Sequence, residues 1–516
     1  MTTHLNHHTP QAHGTAARAR RWAALAVLMF PVLLVAVDNT VLSFAVPALS
    51  TALAPSGQQL LWIIDIYPLV LAGLLVPMGS LGDRLGRRRL LLIGGTGFAA
   101  VSAAAAFAPT AETLIAARAL LGVFGAMLMP ATLSLIRNIF TDDSERRTAI
   151  AVWAAGFSGG AALGPILGGW LLEHFWWGSV FLLAVPMMLP LLVFGPFLIP
   201  ESKDPRPGRL DPLSVLLVIA TLLPVVYAIK AATTSGSILV PAASLALGLA
   251  SGVVFVRRQL RRRDPMLDVR LFRNPVFSGA LTVNLLSVFS LVGFIYFLAQ
   301  HLQLIAGKSP VEAGVLMLPG LALTVACGFA AVPLVRRFRA STVMVAGLGL
   351  NAVAYGIVFA LGQTGSVTAL MVAFAVLGAG VGMAETISND LALSAVPPAK
   401  AGAASAISET AYEVGSVLGT AVLGSILNAA YTSGVRLPAE LSAEQADRAR
   451  ETLGGAVDVA GELPADSGAA ADALLESAAH AFDAGVTVTS AIAVVLAVVA
   501  AVVVARALRV GTAPAR

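Results

Sequence analysis

Gly79-Ser80-Leu81-Gly82-Asp83-Arg84-Leu85-Gly86-Arg87-Arg88-Arg89 lies between two apolar runs, 60–81 and 89–109, and its reading decides the fold. Each run is about as long as the roughly 20 residues a helix needs to cross the hydrocarbon core of a bilayer. The glycines at 79, 82 and 86 allow a tight turn and a close approach of the helices it joins. Asp83 can accept charge-assisted hydrogen bonds from a neighbouring helix end or from arginine. The arginines mark the side of the membrane on which the turn sits. A loop kept only for its positive charge accounts for the arginines but not for Gly79, Asp83 and Gly86.

Runs of the same kind recur along the whole chain. They fall near 23–47, 60–81, 89–109, 112–137, 147–173, 178–199, 211–230, 237–257, 276–303, 311–335, 342–361, 366–394, 402–431 and 484–508. These predict fourteen transmembrane helices, since open strands cannot satisfy their backbone in lipid. The composition agrees: 57% of the 516 residues are hydrophobic and only 12% are charged, against about 25% charged in soluble domains. The single cysteine, Cys327, rules out an intramolecular disulfide.

Charge placement sets the expected orientation. With the N-terminus inside, 27 of the 33 Lys and Arg fall in inside segments. The richest of these holds Arg257, Arg258, Arg261, Arg262, Arg263, Arg270 and Arg273. Others carry Arg206 and Arg209, Lys400, and Arg506, Arg509 and Arg516. Five fall outside, Lys230, Lys308, Arg436, Arg448 and Arg450, and Arg118 lies within a span. The bias predicts a multi-pass protein of the inner (plasma) membrane with both termini cytoplasmic. It also argues against nucleic-acid binding as the meaning of the net charge of +5.

The N-terminal run is too long for a signal core and contains Asp38, so it reads as the first span. The tail before it holds His4, His7, His8 and His13 and reads as solvated rather than metal-binding. Similar turns before the fifth helix (Glu145, Arg146, Arg147) and the thirteenth (Lys400, Ala401, Gly402) suggest two related halves. The expected plan is a cytoplasmic tail 1–22, a six-helix half 23–200, two linker helices 201–265, a second six-helix half 266–510 and a tail 511–516. Duplicated halves with a site near the midplane are a common transporter plan. The long outer loop 432–483, with ten acids and three arginines, reads as solvated. Its Ala-rich stretches can form short helices.

Three further stretches carry information. Helix five reads Gly160-Ala-Ala-Leu-Gly164-Pro165-Ile-Leu-Gly168-Gly169. Small residues four apart permit close helix approach, and Pro165 removes a backbone donor. Arg118, followed by Gly122 and Gly125, sits at membrane depth and needs a partner. Helix one carries Asp38-Asn39-Thr40, and helix two opens with Gln59, Trp62, Asp65 and Tyr67.

Taken together these stretches resemble the major facilitator superfamily, and cover nearly the whole chain. The 79–89 turn resembles its cytoplasmic gate motif, carried here by Gly79, Asp83, Arg84, Gly86 and Arg87. The helix-five segment, Gly160, Gly164, Pro165, Gly168 and Gly169, is similar to the motif of its antiporters. Arg118 resembles its helix-four arginine, which implies a part in proton coupling. Asp38-Asn39-Thr40, the Trp62/Asp65/Tyr67 group, the stretch around Asp268 and the Ser408-Glu409…Glu413 segment narrow the resemblance. They look like the fourteen-helix drug:proton antiporters, the quaternary-ammonium, dye and fluoroquinolone exporters of Gram-positive bacteria and mycobacteria. The pattern departs at Thr324, where some relatives carry a substrate-binding acid, and this weakens the implied reach toward divalent cations.

The acids supply a mechanism. A carboxylate in low dielectric resists ionisation and can carry a proton until a cation approaches. Asp38, roughly mid-span, is the first choice for this role and Asp65 the second. Glu409 and Glu413 are four apart on one helical face, and like charges this close oppose joint ionisation. Glu385, Asn389 and Asp390 form another polar face. The expected proton-coupling set is Asp38, Arg118, Asp65, Glu409 and Glu413. Trp62, Tyr67, Trp153, Phe157 and Tyr412 are candidates for stacking and cation–π contact with a guest.

The expected function is proton-coupled efflux of lipophilic, mainly cationic compounds: quaternary ammonium compounds, dyes, antiseptics and antibiotics. The alternative is an exporter or symporter of one small metabolite or natural-product antibiotic. No catalytic constellation or metal-ligand spacing is present, so an enzyme is not expected. Gly307-Lys308-Ser309 lacks the first glycine of a phosphate loop, and Gly95-Thr96-Gly97 lies inside an apolar helix. The proton is then the coupling ion, with no resident cofactor. Small-molecule drugs, protons and membrane lipid are the expected partners of a monomer.

Overall fold

A computed structural model of the chain describes residues 11–203, 211–234, 238–262, 265–361, 366–397, 401–464 and 467–511. His4, His7 and His8 and, from the charge argument, Arg206, Arg209, Arg263, Lys400 and Arg516 lie outside the described residues.

The regular elements are all helical among the described residues. The first group is α1 (Gln11–Leu53), α2 (Gly57–Leu85), α3 (Arg87–Ala105), α4 (Ala111–Ile139), α5 (Asp143–His174) and a span broken into α6 (Ser179–Leu182) and α7 (Ala184–Leu198). Then come α8 (Pro212–Thr234) and α9 (Leu239–Arg261). The last group opens with α10 (Pro275–Gln300), which runs into a π-helical turn, His301–Ile305. It continues with α11 (Pro310–Leu334), α12 (Ala340–Leu361) and α13 (Val367–Ser394). Its next span is α14 (Ala401–Leu418), a π turn Gly419–Gly424 and α15 (Ser425–Gly434). Two short helices, α16 (Ala443–Glu451) and α17 (Leu453–Glu462), precede α18 (Gly468–Gly511).

Each of the fourteen apolar runs is thus helical. Among the described residues thirteen helices are long and apolar enough to cross a membrane. The run outside that set is α3, whose 19 residues open on Arg87, Arg88 and Arg89. Local signals fix where helices start. Ser56 with Gln59, Thr110 with Thr113 and Ser309 with Glu312 form reciprocal capping boxes for α2, α4 and α11, satisfying orphan backbone donors. Helix α1 begins at Gln11, inside the segment expected as tail.

The packing repeats. In the first group α1 lies on α5 and α7, α2 on α4, and α3 on α4 and α7. In the last group α10 lies on α14 and α18, α11 on α13, and α12 on α13 and α18. Each pairing has its counterpart in the other group. The groups meet through α5 on α11 and α2 on α14, again counterparts of one another. Helix α8 packs on α9 and along α2, α15 and the second π turn.

The groups touch near the end that carries α16 and α17. There a Cβ on Gly169 would stand 2.6 Å from the Pro310 carbonyl oxygen, and one on Gly314 2.6 Å from that of Pro165. On the other seam Leu61 lies against Gly424 and Asn428 against Gly57. The expected solvated loop 432–483 is instead folded into that end. Ala449, Leu453, Ala456 and Val459 are buried. Helix α17 packs on both α1 and α18. The Tyr431 hydroxyl reaches the carbonyls of Ala449 (2.8 Å) and Thr452 (3.2 Å), and the Gly57 N–H donates to Glu451. Arg448 pairs with Asp458 and Glu462, so these three charges are consumed within the loop.

Candidate functional site

Three helices of the first group converge on Asp38. Arg118 of α4 donates from Nη1 to Asp38 Oδ2 at 2.7 Å and from Nε to the Ile63 carbonyl of α2 at 3.1 Å. Its guanidinium carbon lies 4.5 Å from the Tyr67 ring centroid. Gly122 makes this convergence possible: a Cβ there would stand 2.7 Å from the Tyr67 carbonyl oxygen. Arg118 is 2% and Asp38 7% exposed, so the pair is dry, and an unpaired charge in its place would be costly.

Across the seam, α14 presents Glu409, Tyr412 and Glu413. Glu413 is buried and lies within electrostatic reach of Asp38 and Glu409. Asn39 approaches it from α1, yet Asn39 Nδ2 and Glu413 Oε2 are buried without a hydrogen bond of good geometry. Glu409 is half-buried on the same face. Tyr412 meets Phe157 of α5 edge-on at 6.0 Å, and Phe157 stacks on Trp153 at 6.4 Å. Trp153 donates to Thr132 at 3.2 Å. An aromatic ladder therefore bridges the two groups beside the acids. Glu385 of α13 is half-buried and within electrostatic reach of Tyr412.

The other candidates are placed elsewhere. Asn389 accepts from Ser408 (2.6 Å) and Asn284 (3.2 Å) in a polar knot between α10, α13 and α14. Its side-chain oxygen is committed to this knot. Asp390 is exposed and is not brought together with the other acids. Trp62 and Asp65 face Lys230 of α8, and Asp65 also lies within electrostatic reach of the Arg118 guanidinium. Thr324 lies where α11 crosses α13, its backbone pressed against Gly382.

The position expected of Lys230 is overturned. It is no outer-loop residue but a buried side chain of α8, 1% exposed. Its Nζ lies 2.8 Å from Asp65 Oδ2 and 4.1 Å from the centre of the Trp62 ring. The expected span ends at residue 230, which makes the lysine look like a flank; α8 runs on to Thr234.

The 79–89 turn folds against its own half. Asp83 accepts from Arg87 Nε (3.0 Å) and Nη2 (2.7 Å), and the Arg87 N–H donates to the Ser202 carbonyl. Glu201 caps α3 by accepting from the N–H groups of Arg88 and Arg89. Gly86 has φ +110°, a backbone conformation that residues with a side chain rarely adopt, and a Cβ there would also crowd the Glu201 carboxylate at 2.6 Å, so the backbone itself calls for glycine. Sequence reasoning missed Glu201, which sits in a segment without periodicity. Gly79 faces Pro130 of α4 at ordinary contact distance.

The helix-five glycines divide between two partners. Gly160, Gly164 and Gly168 press on Ala36, Thr40 and Val41 of α1, and Thr40 donates to the Ala161 carbonyl at 3.2 Å. Pro165 and Gly169 face α11 of the other group. One motif thus seals α5 into its own half and forms the contact between halves.

Comparison with known proteins agrees with this architecture. The family description "Major Facilitator Superfamily" matches residues 28–420. The chain is 56% identical over 501 residues to the multidrug efflux pump LfrA of Mycolicibacterium smegmatis, covering 97% of this chain and 98% of the relative. It is 41% identical over 467 residues to the methyl viologen resistance protein SmvA of Salmonella typhimurium, covering 90% and 93%. In fold it is similar to an inward-facing bacterial homologue of the human lysosomal transporter Spinster. The TM-score is 0.64 at 18% identity, over 96% of this chain and 99% of that one. The chain belongs to the major facilitator superfamily, a multi-pass membrane transporter family.

Proposed function

We propose that this major facilitator exports lipophilic, mainly cationic compounds from the cell in exchange for protons. Quaternary ammonium compounds, dyes, antiseptics and antibiotics are the substrate class. The observation that carries the reading is the seam between the halves, where the Asp38–Arg118 pair faces Glu413, with Glu409 one helical turn away, beside the Trp153–Phe157–Tyr412 ladder. Carboxylates offer a cation or a proton the same partner, and aromatic faces offer a flat organic cation stacking of about 0.5–2 kcal/mol each. The names of the relatives, a multidrug efflux pump and a methyl viologen resistance protein, support the same reading.

In the cycle a proton reaching Asp38 releases Arg118 from its carboxylate, and loss of the proton restores the pair. The acids of α14 take the cationic cargo. The halves rock about the seam between α5 and α11, and the Arg-rich end, by the positive-inside rule, faces the cytoplasm with both termini. The proton is the coupling ion and no resident cofactor enters. The protein catalyses movement, not a covalent change. The gradient suffices energetically, since one charge crossing 100 mV yields about 2.3 kcal/mol.

The test is purified protein in sealed liposomes loaded with ethidium, with an acid gradient imposed across the membrane. Dye movement that follows the gradient and stops with an uncoupler is the expected result. Dye movement indifferent to the gradient overturns proton exchange.

A further inference from the structure

The pair of helices between the two halves carries one buried cation. Lys230 extends from α8 to Trp62 and Asp65, and Trp62 packs against an apolar cluster of Ile66 and Leu69 of α2, Val226 of α8, and Val417 and Ala421 of the α14 span. Its ammonium sits 2.8 Å from Asp65 Oδ2 and over the Trp62 ring, 4.1 Å from the centroid. Trp62 and Asp65 are three apart on α2 and so share a face. Thr420, on the π turn of the α14 span, also faces the Asp65 carboxylate. Carboxylate, indole face and apolar wall around an ammonium are the chemistry by which proteins hold organic monocations.

The occupant reaches this cage on a flexible four-carbon stem from outside both six-helix halves. The cage itself is built from α2 of one half and the α14 span of the other, which is one of the two seams where the halves meet. A dry carboxylate left without any partner is strongly disfavoured. The ammonium therefore gives way to another positive group more readily than to nothing.

We propose that Trp62 and Asp65 form a binding site for lipophilic monocations, and that Lys230 is its tethered occupant in this conformation, displaced when a cationic cargo binds. This rests on the reading of the protein as an exporter of cationic compounds. It gives the linker pair a purpose, because α8 supplies the competitor that keeps the site filled between cargoes. Selectivity follows from the same arrangement. A guest must match a lysine head group in charge and outdo it in apolar contact.

The test is tetraphenylphosphonium binding to the purified full chain, by calorimetry at one pH, beside a neutral probe, N-phenyl-1-naphthylamine. Lys230→Met keeps the stem and removes the competitor, and is expected to tighten tetraphenylphosphonium binding about tenfold while leaving the neutral probe unchanged. The double variant Lys230→Met/Asp65→Asn is expected to lose that gain. Lys230→Arg holds the carboxylate with a two-pronged grip and is expected to weaken the cation about tenfold. It keeps the ion pair, so it carries the test if the methionine variant does not fold. Unchanged or weaker cation binding in Lys230→Met, an equal shift for both probes, or no loss in Lys230→Arg overturns the proposal. If the unmodified protein exports tetraphenylphosphonium under an acid gradient and these variants behave alike, only the tethered occupant is refuted. If it neither binds nor exports the cation, the export reading fails with it.

Discussion

Asp38 and Arg118 are eighty residues apart in the chain and meet at 2.7 Å in a dry junction of three helices. The arginine is bound twice more on α2, to the Ile63 carbonyl and over the Tyr67 ring. A change of charge at Asp38 is therefore felt at once by α1, α2 and α4.

Asp38→Asn removes the negative partner while keeping the shape. Acid-driven ethidium efflux in everted vesicles should fall about tenfold or more, because breaking a buried pair costs several kcal/mol. Immunoblots of the membrane fraction should show normal insertion. Undiminished export by this variant removes Asp38 from the coupling step.

Glu409→Gln and Glu413→Gln each delete a charge from the seam without changing volume. Transport of cationic dyes should weaken about tenfold, and that of neutral compounds of similar size less than about twofold. A panel of both kinds in the same vesicles reads the difference. Equal losses for both would make these residues packing elements.

Gly169→Val pushes side-chain atoms into the Pro310 carbonyl of α11, whose oxygen would stand only 2.6 Å from the first carbon added. Overpacking of this kind costs about 1–3 kcal/mol, and here it also pries the halves apart. Thermal unfolding in detergent should drop and efflux should fall together. Gly349→Ala is the control: nothing lies within 4 Å of its added Cβ, and it should be neutral or stabilising by about 0.5–1 kcal/mol.

Tyr431→Phe removes the hydroxyl that reaches Ala449 and Thr452. Stranding these carbonyls should loosen α16 and α17 by about 1–2 kcal/mol. Limited proteolysis should then cut within 435–467 faster than in the unmodified protein. Equal cleavage rates would show that the hydroxyl does not hold this cover in place.

The spans are legible because lipid imposes a length and forbids other secondary structure, and the arginine clusters mark their ends. Individual acids are legible because a carboxylate within an apolar run stands out. Their partners are not. Arg118 plainly requires one, but nothing in a linear pattern says that α1 rather than another helix supplies it. Lys230 looks like a flank because it closes an apolar run, and only helix rotation and the extra turn to Thr234 reveal its direction. Asn389 shares a helical face with Glu385 in the sequence, yet Ser408 and Asn284 claim its side-chain oxygen. The cover over the far end is hidden by its own charges: Arg448, Asp458 and Glu462 pair with one another, leaving an apolar underside that average polarity conceals.

That cover is stitched to both walls, since α17 rests on α1 of one half and α18 of the other. Swinging those walls apart at this mouth must peel the stitch from one side and wet the side chains beneath it, Leu453 and Val459 among them. Opening at this end therefore carries a free-energy cost that grows with the apolar area uncovered, about 25 cal/mol for each Å².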